Sequence, residues 1–241
     1  MKILVFQHLP VEHPGALRDF WAEAGHDWTP VELDAGEPIP EMEGFDLLVA
    51  MGGPQDLWQQ DELPWMKAEL AAIRRWVKDM GRPYLGICLG HQLLTEALGG
   101  RVTPMRTPEV GLAQVQQTAA GRADPLFQGI APDMLTFQWH GAEASVLPEG
   151  AVVLAANAAC PTQAIRWGRH AYGLQYHVEI TPVTVADWQQ VPAYAESLET
   201  ALGAERARDL AAEVAPRLPE FARAARALND NLETILQGRD A

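Results

Sequence analysis

Apolar and polar positions divide the chain into two halves of different rhythm. Lys2 to Gln7 is a nearly unbroken apolar run, which predicts a buried strand, and Gly15 to Gly25 reads as a helix ending on glycine. Thr29 to Leu33 and Phe45 to Met51 predict further strands, the second stopped by Gly52-Gly53-Pro54. Pro64 to Met80 has helical spacing, with Ile73, Trp76 and Val77 on one side and Gly81 just past its end. Pro83 to Ile87 predicts a fourth strand, and a helix begins at Gly90 and runs to Leu98. Strands alternating with helices predict an α/β fold: a mostly parallel open sheet with helices on both faces. An active site in such a sheet lies beyond the carboxyl ends of the strands.

From about residue 100 the rhythm changes. Strand-like runs at Gln114 to Thr118, Met134 to Trp139, Val152 to Ala156, Ala164 to Trp167 and Tyr172 to Val178 follow one another, which predicts antiparallel hairpins added to the sheet. After Pro182 the pattern is helical, rich in Ala, Glu, Arg and Leu, and Pro192, Pro216 and Pro219 divide it into two to four helices. We therefore expect a catalytic domain over residues 1–181 and a helical extension, packed on it, over residues 182–241.

Composition narrows the function classes. With 18 Lys+Arg against 32 Asp+Glu, the net charge of −14 argues against nucleic acid or an anionic membrane as the partner. No apolar run reaches the roughly 18 residues a membrane helix needs. The N-terminal stretch reads as a strand rather than a signal peptide. Two cysteines, Cys88 and Cys160, exclude a disulfide framework and a four-cysteine zinc site, and a reducing cytoplasm is the expected compartment.

The strongest local signal is Gly86-Ile87-Cys88-Leu89-Gly90-His91-Gln92, a strand running straight into a helix through a turn flanked by glycines. Such an elbow brings backbone close to backbone, where a Cβ would clash, and projects its central residue from the crest of the sheet. Cys88 also sits by the positive end of the helix, a place that favours the reactive thiolate. A lone cysteine is more often a small core residue, but the paired glycines point to a nucleophile. A nucleophile needs a base, and the base an orienting group. Of seven histidines, His91 rides the elbow helix and points away from the thiol. His177 lies at a strand end with Glu179 two residues on, on the same face of an extended chain. His8, ending the first strand, is the rival base. Met51-Gly52-Gly53-Pro54 could present the Gly53 N–H outward, and with the Leu89 N–H it would form an oxyanion hole.

Together these segments resemble the class I (triad) glutamine amidotransferase family. The elbow, the Tyr176-His177-Val178-Glu179 segment and Met51-Gly52-Gly53-Pro54 stand in that family's order and spacing over roughly Met1 to Thr181. Glu109-Val110-Gly111 and Phe137-Gln138-Trp139-His140-Gly141 resemble its stand-alone members. The resemblance implies a flavodoxin-like fold and a triad of Cys88, His177 and Glu179. It also implies oxyanion donors at Gly53 and Leu89, and substrate contacts at Gly52, Gln92, Trp139 and His140. The implied reaction is hydrolysis of the glutamine γ-carboxamide through a γ-glutamyl thioester, releasing ammonia, with no cofactor or metal.

The chain contains no phosphate-binding G-x-x-x-x-G-K-[ST] loop, no G-x-G-x-x-G and no H-E-x-x-H. It therefore has no visible means of activating an ammonia acceptor. Either a separate synthetase or ammonia-accepting subunit supplies that step, or the protein is a hydrolase in its own right. A γ-glutamyl hydrolase or peptidase acting on other γ-glutamyl amides is the main alternative. A non-catalytic protein or a thiol redox protein on a related fold remains further behind.

Overall fold

The computed structural model describes residues 1–238, so residues 239–241 of the expected extension lie outside the described residues. Nine strands form one sheet in the order β2-β1-β3-β4-β9-β8-β7-β5-β6. Its first half is parallel: β1 (Lys2–Gln7) lies between β2 (Asp27–Glu32) and β3 (Leu47–Ala50), followed by β4 (Tyr84–Ile87) and β9 (Ala171–Leu174). The other half is antiparallel, running from β9 through β8 (Ala164–Trp167) and β7 (Ala151–Ala156) to the long pair β5 (Arg101–Gln117) and β6 (Asp133–Val146).

The apolar character of β1, β3, β4 and β9 follows from cover on both faces, whereas the edge strand β2 is largely exposed. Ile3 and Val5 of β1, with Leu47, Val49, Leu85 and Ile87, pack on one side against α1 (Leu17–Glu23) and α8 (Leu218–Gln237). Leu4 and Phe6, with Leu48, Ala50 and Tyr84, face α2 (Pro64–Arg74) and α3 (Leu89–Ala97) on the other. Burying each such side chain contributes about 1.5–3 kcal/mol. On the first side α8 is fastened to α1 by Trp21 Nε1, which donates to Asn229 Oδ1 at 3.1 Å.

Several expected boundaries shift for identifiable reasons. The helix expected over 64–80 is α-helical only to Arg74, and Arg75–Asp79 forms a π turn. The widened turn buries two adjacent residues, Trp76 and Val77. Strand β9 ends at Leu174, so His177 lies three residues beyond it rather than on its end. An isolated bridge holds it there: His177 N donates to Phe137 O at 2.8 Å, and Phe137 N to His177 O at 3.1 Å. Beyond Pro182 the described residues form α5 (Thr184–Trp188), α6 (Pro192–Leu202), α7 (Ala204–Val214) and α8. Prolines begin α6 and α8, but Gly203, in a left-handed conformation at φ 77°, separates α6 from α7.

Candidate active site

The site sits at the carboxyl ends of β1, β3 and β4, where the strand order reverses. Cys88 is the residue between β4 and α3, and its φ of 53° and ψ of −105° make it the one non-glycine with positive φ among the described residues. Holding a side chain there stores on the order of 1–3 kcal/mol of strain. The flanking glycines make this turn possible. A Cβ on Gly86 would lie 2.3 Å from Gly90 O, and one on Gly90 would lie 2.0 Å from Ala50 O. The strand continues through Cys88 N, which donates to Leu174 O at 2.8 Å, while Cys88 O already accepts from the α3 amides of His91 and Gln92.

Behind the thiol stands an imidazole held by a carboxylate. Glu179 Oε1 is 2.6 Å from His177 Nδ1, and Cys88 lies near enough to the same ring to act on its charge. The three side chains are buried, with Cys88 at 6%, His177 at 1% and Glu179 at 3% exposure. Burial opposes a charged imidazole, yet the charge and hydrogen bond of Glu179, with the influence of Cys88, outweigh it and hold the His177 pKa well above the usual range. Glu179 Oε2 accepts from Val178 N at 3.0 Å, so the carboxylate is itself fixed. The Cys88 sulfur also lies 3.7 Å from Gln175 Nε2 and 3.8 Å from Trp139 O.

The rival base His8 has another task. Its Nδ1 binds Gly52 O at 2.8 Å and its Nε2 meets the Glu69 carboxylate at 3.0 Å, with His8 and Glu69 both fully buried. Burial disfavours its charge, but Glu69 and the Gly52 carbonyl raise its pKa overall, and Nδ1 donates to the Gly52 carbonyl. In a trans peptide the carbonyl and the following N–H point oppositely. Gripping Gly52 O from the His8 side therefore turns the Gly53 N–H to the other side of the loop. Gly53 packs against Leu89, since a Cβ on Gly53 would lie 2.9 Å from Leu89 Cδ2. Leu89 is the first residue of α3, where a backbone N–H has no acceptor within the helix. The other histidine of the elbow, His91, is buried beneath it against Gly173 of β9, where burial lowers its pKa to about 3.

A cavity of about 330 Å³ opens over the thiol. Gly53, Cys88, Leu89, Gln92, Trp139 and His140 all line it, whereas Gly52 does not and instead packs against Glu12 and His177. Gln92 Nε2 donates to Gln175 Oε1 at 3.1 Å and to Ala142 O at 3.3 Å, so it is part of the wall. His140 is pinned between Ala142 O at 3.0 Å and Gln138 Oε1 at 3.1 Å, with Glu109 Oε2 at 3.3 Å. Three residues that the sequence reading missed come from the C-terminal helices. Trp188 lies edge-on to His177 with ring centroids 4.8 Å apart, Tyr194 lies 5.3 Å from Trp139, and Ser197 accepts from Trp139 Nε1 at 3.1 Å. The one available signal was aromatic residues within an otherwise Ala- and Glu-rich stretch.

A strand-to-helix elbow carrying a thiol, backed by an imidazole and a carboxylate, defines a class of α/β proteins with a nucleophile at the crest of the sheet. Within that class, this chain belongs to the glutamine amidotransferase class-I family, whose model matches residues 17–186. It is 33% identical over 185 residues to the glutamine amidotransferase-like protein YfeJ of Salmonella typhimurium, covering 75% of this chain and 77% of that protein. It is 30% identical over 147 residues to the glutamine-hydrolyzing GMP synthase of Neisseria meningitidis serogroup C. That match covers 60% of this chain but only 26% of the much longer relative. A glutamine amidotransferase structure from Thermotoga maritima superimposes with a TM-score of 0.86 at 26% identity, covering 98% of each chain. Another, from Methylobacillus flagellatus, does so with a TM-score of 0.80 at 27% identity, covering 98% of this chain and 94% of that one.

Proposed function

We propose that the protein hydrolyses the γ-carboxamide of glutamine through a γ-glutamyl thioester on Cys88. The observation that carries this reading is Cys88, backed by His177 and Glu179, at the wall of a cavity of about 330 Å³. That volume is at the small end of the roughly 300–1,000 Å³ range of ligand pockets and suits a substrate of amino-acid size. The Cys88 thiolate attacks the amide carbon, and the Gly53 and Leu89 N–H groups take up the oxyanion charge. His177, held by Glu179, protonates the departing ammonia and then draws a proton from the water that releases glutamate. Trp139, His140 and Gln92 shape the wall against which the amide lies, and Gly52 sets the loop.

The GMP synthases among the relatives join a glutamine-hydrolyzing activity to synthesis. By analogy, the released ammonia passes to a separate synthetase or ammonia-accepting subunit, and the reading places residues 1–181 as the catalytic domain.

Turnover by the purified protein on glutamine and on a panel of γ-glutamyl peptides and amines tests the substrate. Glutamine is expected to be hydrolysed with stoichiometric ammonia. Efficient turnover of the other γ-glutamyl amides, with glutamine left intact, would replace this reading by a γ-glutamyl hydrolase.

Gly53→Val tests the oxyanion assignment. Its Cβ would meet Gln55 Oε1 at 2.4 Å and both His8 Cβ and Leu89 Cδ2 at 2.9 Å, so the loop must move. The expected loss is roughly 10²–10³-fold in kcat with a smaller change in KM, measured with the fold checked by circular dichroism. An unchanged kcat would remove Gly53 from the mechanism.

A further inference from the structure

A second carboxylate lies near the candidate base and has no part in the reaction described above. Glu12, in the loop after β1, is 1% exposed, and its Oε2 is buried without a hydrogen-bond partner among the described residues. Its Oε1 accepts from the hydroxyl of Tyr194 on α6. A point one Cβ away from Gly52 would be 2.6 Å from Glu12 Oε2 and 3.4 Å from His177 Cε1, so carboxylate and ring edge crowd the same spot. The loop is fixed there: Trp188 Nε1 donates to Val11 O at 3.1 Å while the same indole packs edge-on to His177. Leaving a buried carboxylate oxygen unsatisfied is costly and calls for a role. Glu12 and Tyr194 both fall outside residues 17–186, the span of the family match.

We propose that Glu12 is a positioning residue for His177, a carboxylate seated at the Cε1 edge of the ring and held by Tyr194, which favours the imidazolium form opposite the Cys88 thiolate. This rests on the reading of Cys88 and His177 as the reacting pair. The groups facing Glu12 are His177 and Glu179 from the segment after β9, Tyr194 from α6, and His8 from the end of β1, with Glu69 of α2 behind His8. A negative charge nearer the ring than the sulfur stabilises imidazolium with thiolate over the neutral pair. Burial raises the Glu12 pKa to about 7, against the opposing pull of His177 and the Tyr194 hydrogen bond, so the charge develops as pH rises through neutrality. The C-terminal helices thereby set the reactivity of a thiol that they do not touch in sequence.

The test is the rate of Cys88 alkylation by iodoacetamide across the neutral pH range, scored by peptide mapping so that Cys160 does not contribute. It needs no substrate. In the wild type the rate rises with an inflection near pH 7. Glu12→Gln removes the inflection and lowers the upper plateau about tenfold, the equivalent of one pKa unit. Glu12→Asp retains the inflection. Tyr194→Phe moves it upward, because a hydrogen bond to the charged form is lost. A Glu12→Gln profile superimposable on the wild type overturns the proposal. If that variant does not fold, an unmoved inflection in Tyr194→Phe overturns it instead. His177→Ala separates the two readings: a wild-type rate there means that the reacting pair itself is wrong. A slow His177→Ala with an unaffected Glu12→Gln means that only the role of Glu12 is.

Discussion

Cys88→Ala is expected to abolish hydrolysis, lowering kcat by about 10⁴-fold or more, while the folded protein remains intact. Removal of a covalent nucleophile leaves only the residual assistance of the oxyanion donors and substrate binding. The structural cost is small because the elbow, not the sulfur, determines the local fold. Gly86 and Gly90 relieve the close approaches, and the backbone bonds of Cys88 to Leu174 and to α3 do not involve the side chain. Alanine retains the Cβ that the left-handed conformation already tolerates at this position, so the stability change should stay within about 1 kcal/mol. Ammonia release and thermal unfolding of the same preparation check both halves. A variant that unfolds normally and still turns over at more than a trace would remove the thiol from the chemistry.

His177→Ala is expected to cost nearly as much, about 10⁴-fold, and Glu179→Gln less, roughly 10²–10³-fold. The difference follows from what each change removes. Alanine at 177 eliminates the proton acceptor. Glutamine at 179 keeps a hydrogen-bonding group at the 2.6 Å contact to Nδ1 but removes its charge. Glu179 is the group that raises the His177 pKa most, so its neutralisation should also move the alkaline limb of the kcat/KM profile to lower pH. If Glu179→Gln proved as damaging as His177→Ala, with an unshifted profile, orientation by this carboxylate would not be its function.

Strands β1, β3 and β4 of the parallel half were legible because they are almost wholly apolar, whereas β9 was expected among the hairpins and pairs parallel with β4. The elbow was legible because its spacing has one physical use. The long strand β5 was foreseen only over its last few residues. Pro104, Pro108 and Gly111 break the β pattern in the sequence, and the structure accommodates the prolines at a register shift between Pro104 and Glu109. Likewise β6 runs past Trp139 through His140 to Val146, a stretch of small residues with little strand preference of its own, kept extended by pairing with β5. His177 and Glu179 were found from local spacing, although the isolated bridge to Phe137 that holds the segment has no local signature.

The contribution of the C-terminal helices was not legible. Helical period shows that Tyr194 and Leu198 share a buried face, but not that this face closes over residues nearly two hundred positions earlier. Glu12 is equally silent in sequence: a single glutamate in a loop acquires meaning only when Tyr194, Gly52 and His177 converge on it.

Acid quench of the protein during turnover of glutamine, followed by peptide mass spectrometry, tests the central assignment most directly. The account predicts a mass gain of one γ-glutamyl group on the peptide bearing Cys88, absent in Cys88→Ala and reversed by hydroxylamine, as a thioester requires. Steady ammonia release with Cys88 unmodified throughout, or with the γ-glutamyl group on another residue, would contradict it.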